Sequence, residues 1–121
     1  VLSANALAQN HPRTKAMIGL SEAELQTLRT IFARFPQIEE VILFGSRAKG
    51  THRSSSDIDL AIKGKEITLD TLAKLRYILE EETNLPYFFD VVVYDKIENV
   101  ELKRAIDGGE KIFIITRKDV L

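Results

Sequence analysis

Val41-Ile42-Leu43-Phe44 are four consecutive apolar residues that end abruptly at Gly45. A short β-branched and aromatic run bounded by glycine reads as a buried strand followed by a turn. Its neighbours along the chain narrow the fold further. Upstream, Leu25, Leu28, Phe32 and Phe35 recur at helical spacing until Pro36 stops the pattern. Ser21-Glu22-Ala23-Glu24 opens that helix as a capping box. Ser21 accepts from the Glu24 amide, and the Glu24 carboxylate reaches back to the Ser21 amide. Leu20 and Leu25 stand at the positions of a hydrophobic staple. Downstream, residues 46–49 start a short helix closed by Gly50. Residues 57–63 then alternate, with Ile58, Leu60 and Ile62 on one face and Asp57, Asp59 and Ala61 on the other.

Thr68 caps a second long helix whose apolar stripe is Leu69, Leu72, Leu75, Ile78 and Leu79, and Asn84 and Pro86 break it. Whether Leu72, Leu75 and Ile78 face a core or an interface stays open, and Tyr77, Tyr87 and Tyr94 read as packing residues. Residues 88–94 form a strand, 99–107 a short helix stopped by Gly108 and Gly109, and 111–116 a last strand. The order α-β-α-β-α-β-α-β, with short connections and no repeat, describes one α/β or α+β domain.

Composition limits the function. Seventeen basic against 18 acidic residues give a net charge of −1, without the basic excess that long nucleic acid demands. No apolar run reaches bilayer length, so no membrane partner is expected. Ala6-Leu7-Ala8 imitates a signal cleavage site, but residues 1–10 carry neither a basic n-region nor a sustained apolar stretch, which argues against a signal peptide. The expectation is a single domain over 17–121, with residues 1–16 a loosely ordered arm or an added remnant. The absence of cysteine fits a reducing cytoplasm.

Three acids fall in strands, where acids are depleted. Asp57 and Asp59, two apart, leave the same face of their strand. Carboxylates held side by side repel unless a cation or proton lies between them, and a hard divalent ion takes oxygen ligands from both. Asp90, inside the apolar run Phe88-Phe89-Asp90-Val91-Val92-Val93, is placed to supply a third ligand from a neighbouring strand. Asp95 competes for that role but stands where the strand should be ending, as a turn residue. A bare D-x-D is more often a strand with a solvated face, and a bare Gly-Ser an ordinary turn. Here the two occur together. At Gly45-Ser46 a strand feeds a short helix, where backbone can approach an anion and amides face it. The stretch from Arg47 to Arg53 adds Arg47, Lys49, His52 and Arg53 without an acid. There is no P-loop and no dinucleotide fingerprint, and His11 and His52 do not suggest a histidine metal site.

Gly45-Ser46, ten residues, then Asp57-x-Asp59 resembles the signature of the polymerase-β-like nucleotidyltransferase superfamily. The surroundings, Leu43-Phe44-Gly45-Ser46-Arg47-Ala48-Lys49-Gly50 and Ser56-Asp57-Ile58-Asp59-Leu60, look like its minimal branch (MNT), the antitoxin partners of HEPN-domain toxins. That resemblance implies a small mixed sheet with helices packed mainly on one face. It implies that Gly45 and Ser46 hold the phosphates of ATP or another nucleoside triphosphate, with Arg47 as a further phosphate contact and Lys49 a weaker one. It assigns two magnesium ions to Asp57, Asp59 and Asp90, which form the catalytic set. The activity implied is transfer of a nucleoside monophosphate, AMP, to a tyrosine hydroxyl of a HEPN partner in a hetero-oligomer of a toxin–antitoxin system. A homodimer stays open. The alternative is a non-catalytic nucleotide-binding module that neutralises the toxin by direct binding.

Overall fold

A computed structural model describes residues 19–51, 53 and 57–115; the expected N-terminal arm lies outside them. The elements follow the expected order. They are α1 (Glu22–Ala33), β1 (Ile38–Phe44), α2 (Ser46–Lys49), β2 (Ile58–Gly64), α3 (Leu69–Glu81), β3 (Phe89–Val93), a 3-10 turn (Tyr94–Lys96), α4 (Val100–Asp107) and β4 (Glu110–Ile114).

The local signals act as the sequence suggests. The capping box of α1 is complete, with Ser21 N–H donating to Glu24 Oε1 at 2.9 Å and Glu24 N–H to Ser21 Oγ at 3.0 Å. Thr68 Oγ1 accepts from the Thr71 amide at the start of α3, and Asn99 Oδ1 from the Leu102 amide at the start of α4. Some boundaries differ. β1 begins at Ile38 rather than Val41, with Glu39 and Glu40 half-buried inside it. Asp57 stands just before β2, β3 runs from Phe89 to Val93, and β4 from Glu110 to Ile114.

The four strands lie in the order β3-β2-β1-β4. β1 runs antiparallel to both β2 and β4, while β2 and β3 are parallel. Alternation then sorts side chains between two faces. Val41, Leu43, Ile58, Leu60, Ile62, Phe89 and Val91 pack under α1 and α3, against Leu28, Ile31, Phe32, Leu75 and Leu79. Leu75 is core, and Leu72 and Ile78 flank it partly buried. Tyr77 departs from the packing role, being 61% exposed.

The opposite face carries a smaller cluster, Ile42, Phe44 and Ala61 beneath Ile106 of α4. The two long helices thus share one face, and α4 covers only part of the other. The uncovered part is where Asp59 and Asp90 emerge. No helix among the described residues is long and apolar enough to cross a membrane.

Candidate active site

Asp59 sits at the centre of this opening. It follows Ile58, whose side chain is fully buried on the helix-covered face, so the Asp59 side chain leaves on the other. Its antiparallel neighbour is Phe44, the last residue of β1, and its parallel neighbour is Asp90 of β3. Adjacent strands lie about 4.8 Å apart, so the register sets the two acids side by side. Asp57 lies two residues earlier and is exposed. Burial raises the Asp59 pKa above the ordinary carboxylate range, and the negative charges of Asp90 and then Asp57 raise it further. The three carboxylates therefore form one electrostatic unit. Asp95, the competing acid, falls in the 3-10 turn beyond β3.

Gly45 completes this arrangement from the β1 side. Its backbone angles, φ 80 and ψ −154, belong to a region essentially reserved for glycine. A Cβ there would collide with the Asp59 Oδ2 atom and lie 3.2 Å from its Cγ. Gly45 is thus glycine for two reasons: its backbone angles require it, and the Asp59 carboxylate occupies the space a side chain would need. Ser46 is the first residue of α2. Amides in a first helical turn have no intrahelical acceptor and point outward along the axis, the geometry that suits a phosphate.

Arg47 has a different position from the one its place in a basic loop suggests. It is buried, at 1% exposure. Its guanidinium lies 4.8 Å from the centre of the Tyr87 ring, and its Nη1 donates to the Gly19 carbonyl at 3.3 Å. The Tyr87 hydroxyl donates in turn to Glu24 Oε2 at 2.9 Å, the carboxylate that caps α1. Burial, followed by that hydrogen bond, raises the Tyr87 pKa, with Arg47 acting in the opposite direction. The phenol consequently stays a neutral donor. Through these contacts Arg47 ties the Gly45–Ser46 turn to the start of α1 and to the segment that leads into β3. Lys49 and Arg53 are the exposed cations of the loop; His52 and Ser54 to Ser56 lie outside the described residues.

An arginine that supports the turn from beneath has a specific signature. Arg47→Met is expected to lower stability in urea by about 1–3 kcal/mol, through the lost cation–π contact and hydrogen bond. A phosphate-contacting arginine would instead weaken ATP binding with the urea midpoint unchanged.

The acids fit a hard cation by donor type, each offering carboxylate oxygen. They are not gathered into a finished ligand set: among the described residues no three Asp, Glu or His side chains stand together as a metal cluster. Asp90 leans outward, its Oδ1 3.7 Å from Arg76 Nη2. Arg76 reaches round the sheet edge from α3 and also meets the Val91 carbonyl at 3.5 Å. Both side chains of the pair are about half exposed, and such pairs contribute little. A side-chain rotation of Asp90 is therefore an inexpensive step. Sequence reasoning missed Arg76, and it read Tyr87 as packing and Glu24 as a cap without their link to Arg47. Arg76 lies off the apolar stripe of its helix, and Tyr87 follows a proline outside any periodic run, so neither carries a local signal.

The polymerase beta nucleotidyltransferase family matches residues 26–118. A probable protein adenylyltransferase MntA from Haemophilus influenzae is 38% identical over 80 residues, covering 64% of this chain and 68% of that protein. The protein adenylyltransferase MntA of Shewanella oneidensis is 24% identical over 98 residues, 81% of this chain and 70% of that one. Among solved structures, a toxin–antitoxin complex with AMP-PNP superimposes with a TM-score of 0.61 at 22% identity, covering 84% of this chain and 79% of that chain. An MntA–HepT toxin–antitoxin complex gives 0.51 at 16%, covering 83% and 78%. With the Gly45 turn seated against Asp59 and Asp90 in register beside it, the chain belongs to the polymerase beta nucleotidyltransferase family, alongside the MntA-type members.

Proposed function

We propose that this protein transfers AMP from ATP to a hydroxyl of a partner protein, and that the partner is a HEPN-domain toxin held in check by this chain as its antitoxin. The observation that carries the chemistry is the contact between Gly45 and the Asp59 carboxylate. It joins a phosphate-binding turn and an acidic site in one structure. The name of the 38%-identical relative supports protein as the acceptor. A reaction that consumes ATP puts the protein in the cytoplasm. Residues 17–121 act as one catalytic domain.

In this reading the Gly45 and Ser46 backbone amides and the Ser46 hydroxyl hold the β- and γ-phosphates. Arg47 keeps that turn at the right height from below and does not itself touch phosphate. Asp57, Asp59 and Asp90, after Asp90 turns from Arg76, would hold two magnesium ions; these supply neutralisation of the triphosphate charge and acidify the attacking hydroxyl. The acceptor oxygen forms a bond to the α-phosphorus, the bond from α-phosphorus to the bridging oxygen breaks, and pyrophosphate leaves. Asp90, the outermost carboxylate, accepts the hydroxyl proton.

The test is the intact mass of a HEPN-domain protein that co-purifies with this chain, after incubation with the chain and magnesium ATP. The expected result is a partner heavier by one AMP, and no added mass with Asp57→Asn. A partner that is bound tightly yet stays unmodified at saturating ATP sinks the transferase reading and leaves a binding module.

A further inference from the structure

Phe88 is the residue immediately before β3, and its carbonyl already accepts from the Ile58 amide at 2.9 Å. Phe89 beside it is buried in the core below α1 and α3. Alternation turns Phe88 to the opposite face, the one on which Asp90 stands two residues further. The pairing of Ile58 with Phe89 makes Asp57 its neighbour across the strands. A phenylalanine 76% exposed therefore stands beside two of the three carboxylates, and its ring belongs to neither apolar cluster.

The site has a direction. The Gly45–Ser46 turn follows β1, Asp57 and Asp59 belong to the β2 segment, and Asp90 is on β3, the edge of the sheet. In a phosphoryl-group displacement the leaving and attacking oxygens lie roughly in line through phosphorus. With pyrophosphate over β1, the hydroxyl arrives from the β3 side. Among the described residues that side is the edge of the sheet, where a large acceptor can approach without passing over the other strands. Among the described residues, a nucleobase stacked on Phe88 at this edge would find Phe88 as its only aromatic wall. A polypeptide can cover the whole ring.

We infer that Phe88 is an acceptor-contacting residue: its ring packs against apolar side chains flanking the modified hydroxyl on the partner protein and sets which acceptor is used. The inference rests on the transfer reading above. Aromatic residues, phenylalanine among them, are enriched in protein–protein interfaces relative to the rest of the surface. Among the described residues the ring is 76% exposed and belongs to neither apolar cluster, so Phe88→Ser should fold normally.

Three measurements on wild type, Phe88→Ser and Phe88→Trp decide it: affinity for a fluorescent ATP analogue with magnesium, affinity for a HEPN-domain protein that co-purifies with this chain, and AMP transfer against the concentration of that protein. Phe88→Ser is expected to keep ATP-analogue affinity within about twofold, and to weaken partner binding and raise the partner's KM by about tenfold or more. Its kcat at saturating partner should hold, and Phe88→Trp should behave as wild type. Unchanged partner affinity and KM overturn the inference, as does a loss confined to ATP-analogue affinity, which would make the ring a nucleobase platform. If wild type transfers no AMP, the transferase reading falls, and the partner affinities still decide the role of Phe88.

Discussion

Asp59→Asn is expected to lower AMP transfer about a thousandfold while making the metal-free protein more stable at neutral pH. The loss follows from removing a central carboxylate of the site, since the charge stabilisation supplied there is several kcal/mol and each 1.4 kcal/mol is tenfold in rate. The gain follows from electrostatics. Burial, then Asp90, then Asp57, raise the pKa of Asp59 in the folded state. A raised folded-state value means that the native protein favours the protonated acid. The associated stability is fully present below the unfolded-state carboxylate pKa and is lost as pH rises through the raised folded value. Metal-free wild type should therefore lose stability as pH rises from the unfolded-state carboxylate pKa through the raised folded value, and Asp59→Asn should remove that part of the decline. Magnesium or manganese at neutral pH should raise the melting temperature of wild type and have far less effect on Asp59→Asn. Thermal melts at several pH values, with and without the ion, test both directions. A wild-type curve indifferent to divalent ions would remove the metal from the mechanism.

Gly45→Ala carries the second large effect, and here stability and activity fall together. Alanine at φ 80 and ψ −154 is strained by about 1–3 kcal/mol, readable in urea. Its methyl also occupies the space of the Asp59 carboxylate, so Asp59 must rotate away. A displacement of about 1 Å in a reacting constellation costs roughly a hundredfold in rate. Gly50→Ala is the control. Gly50 also has a positive φ, 75, in the left-handed region at the end of α2, which costs alanine about 1–2 kcal/mol, and it lies at the opposite end of α2 from the Gly45 turn. Gly50→Ala should lose stability and keep transfer. If Gly45→Ala kept wild-type kcat, the tight seat of Asp59 against the turn would have no catalytic consequence.

Much of the fold was legible because the signals are local. Ser21 with Glu24, Thr68 and Asn99 each cap a helix within three residues of themselves, so their meaning does not depend on the rest of the chain. Alternation in β2 placed Asp59 opposite Ile58 and Leu60 by backbone geometry alone. The choice of Asp90 over Asp95 likewise came from position inside an apolar run. The boundary of β1 was less legible, since Glu39 and Glu40 separate the buried Ile38 from the apolar run that starts at Val41.

Arg47 shows where local reading ends. In sequence it is one cation among Lys49, His52 and Arg53, and charge alone points it at a phosphate. Its buried direction depends on Tyr87 and Gly19, which arrive from distant parts of the chain, and desolvation is tolerable there only because an aromatic face and a carbonyl meet the guanidinium.

The sequence by itself determined the succession of helices and strands, the face from which Asp59 leaves its strand, and the glycine turn that ends β1. These depend on a periodicity of two or 3.6 and on caps a few residues away. The tertiary structure alone decided that β2 and β3 run parallel with Asp59 opposite Asp90, that Arg76 reaches round the edge to Asp90, and that Gly45 seats the Asp59 carboxylate. Strand pairing and side-chain direction are set by burial of the whole core at once, and no local pattern encodes which distant segment will supply the neighbour.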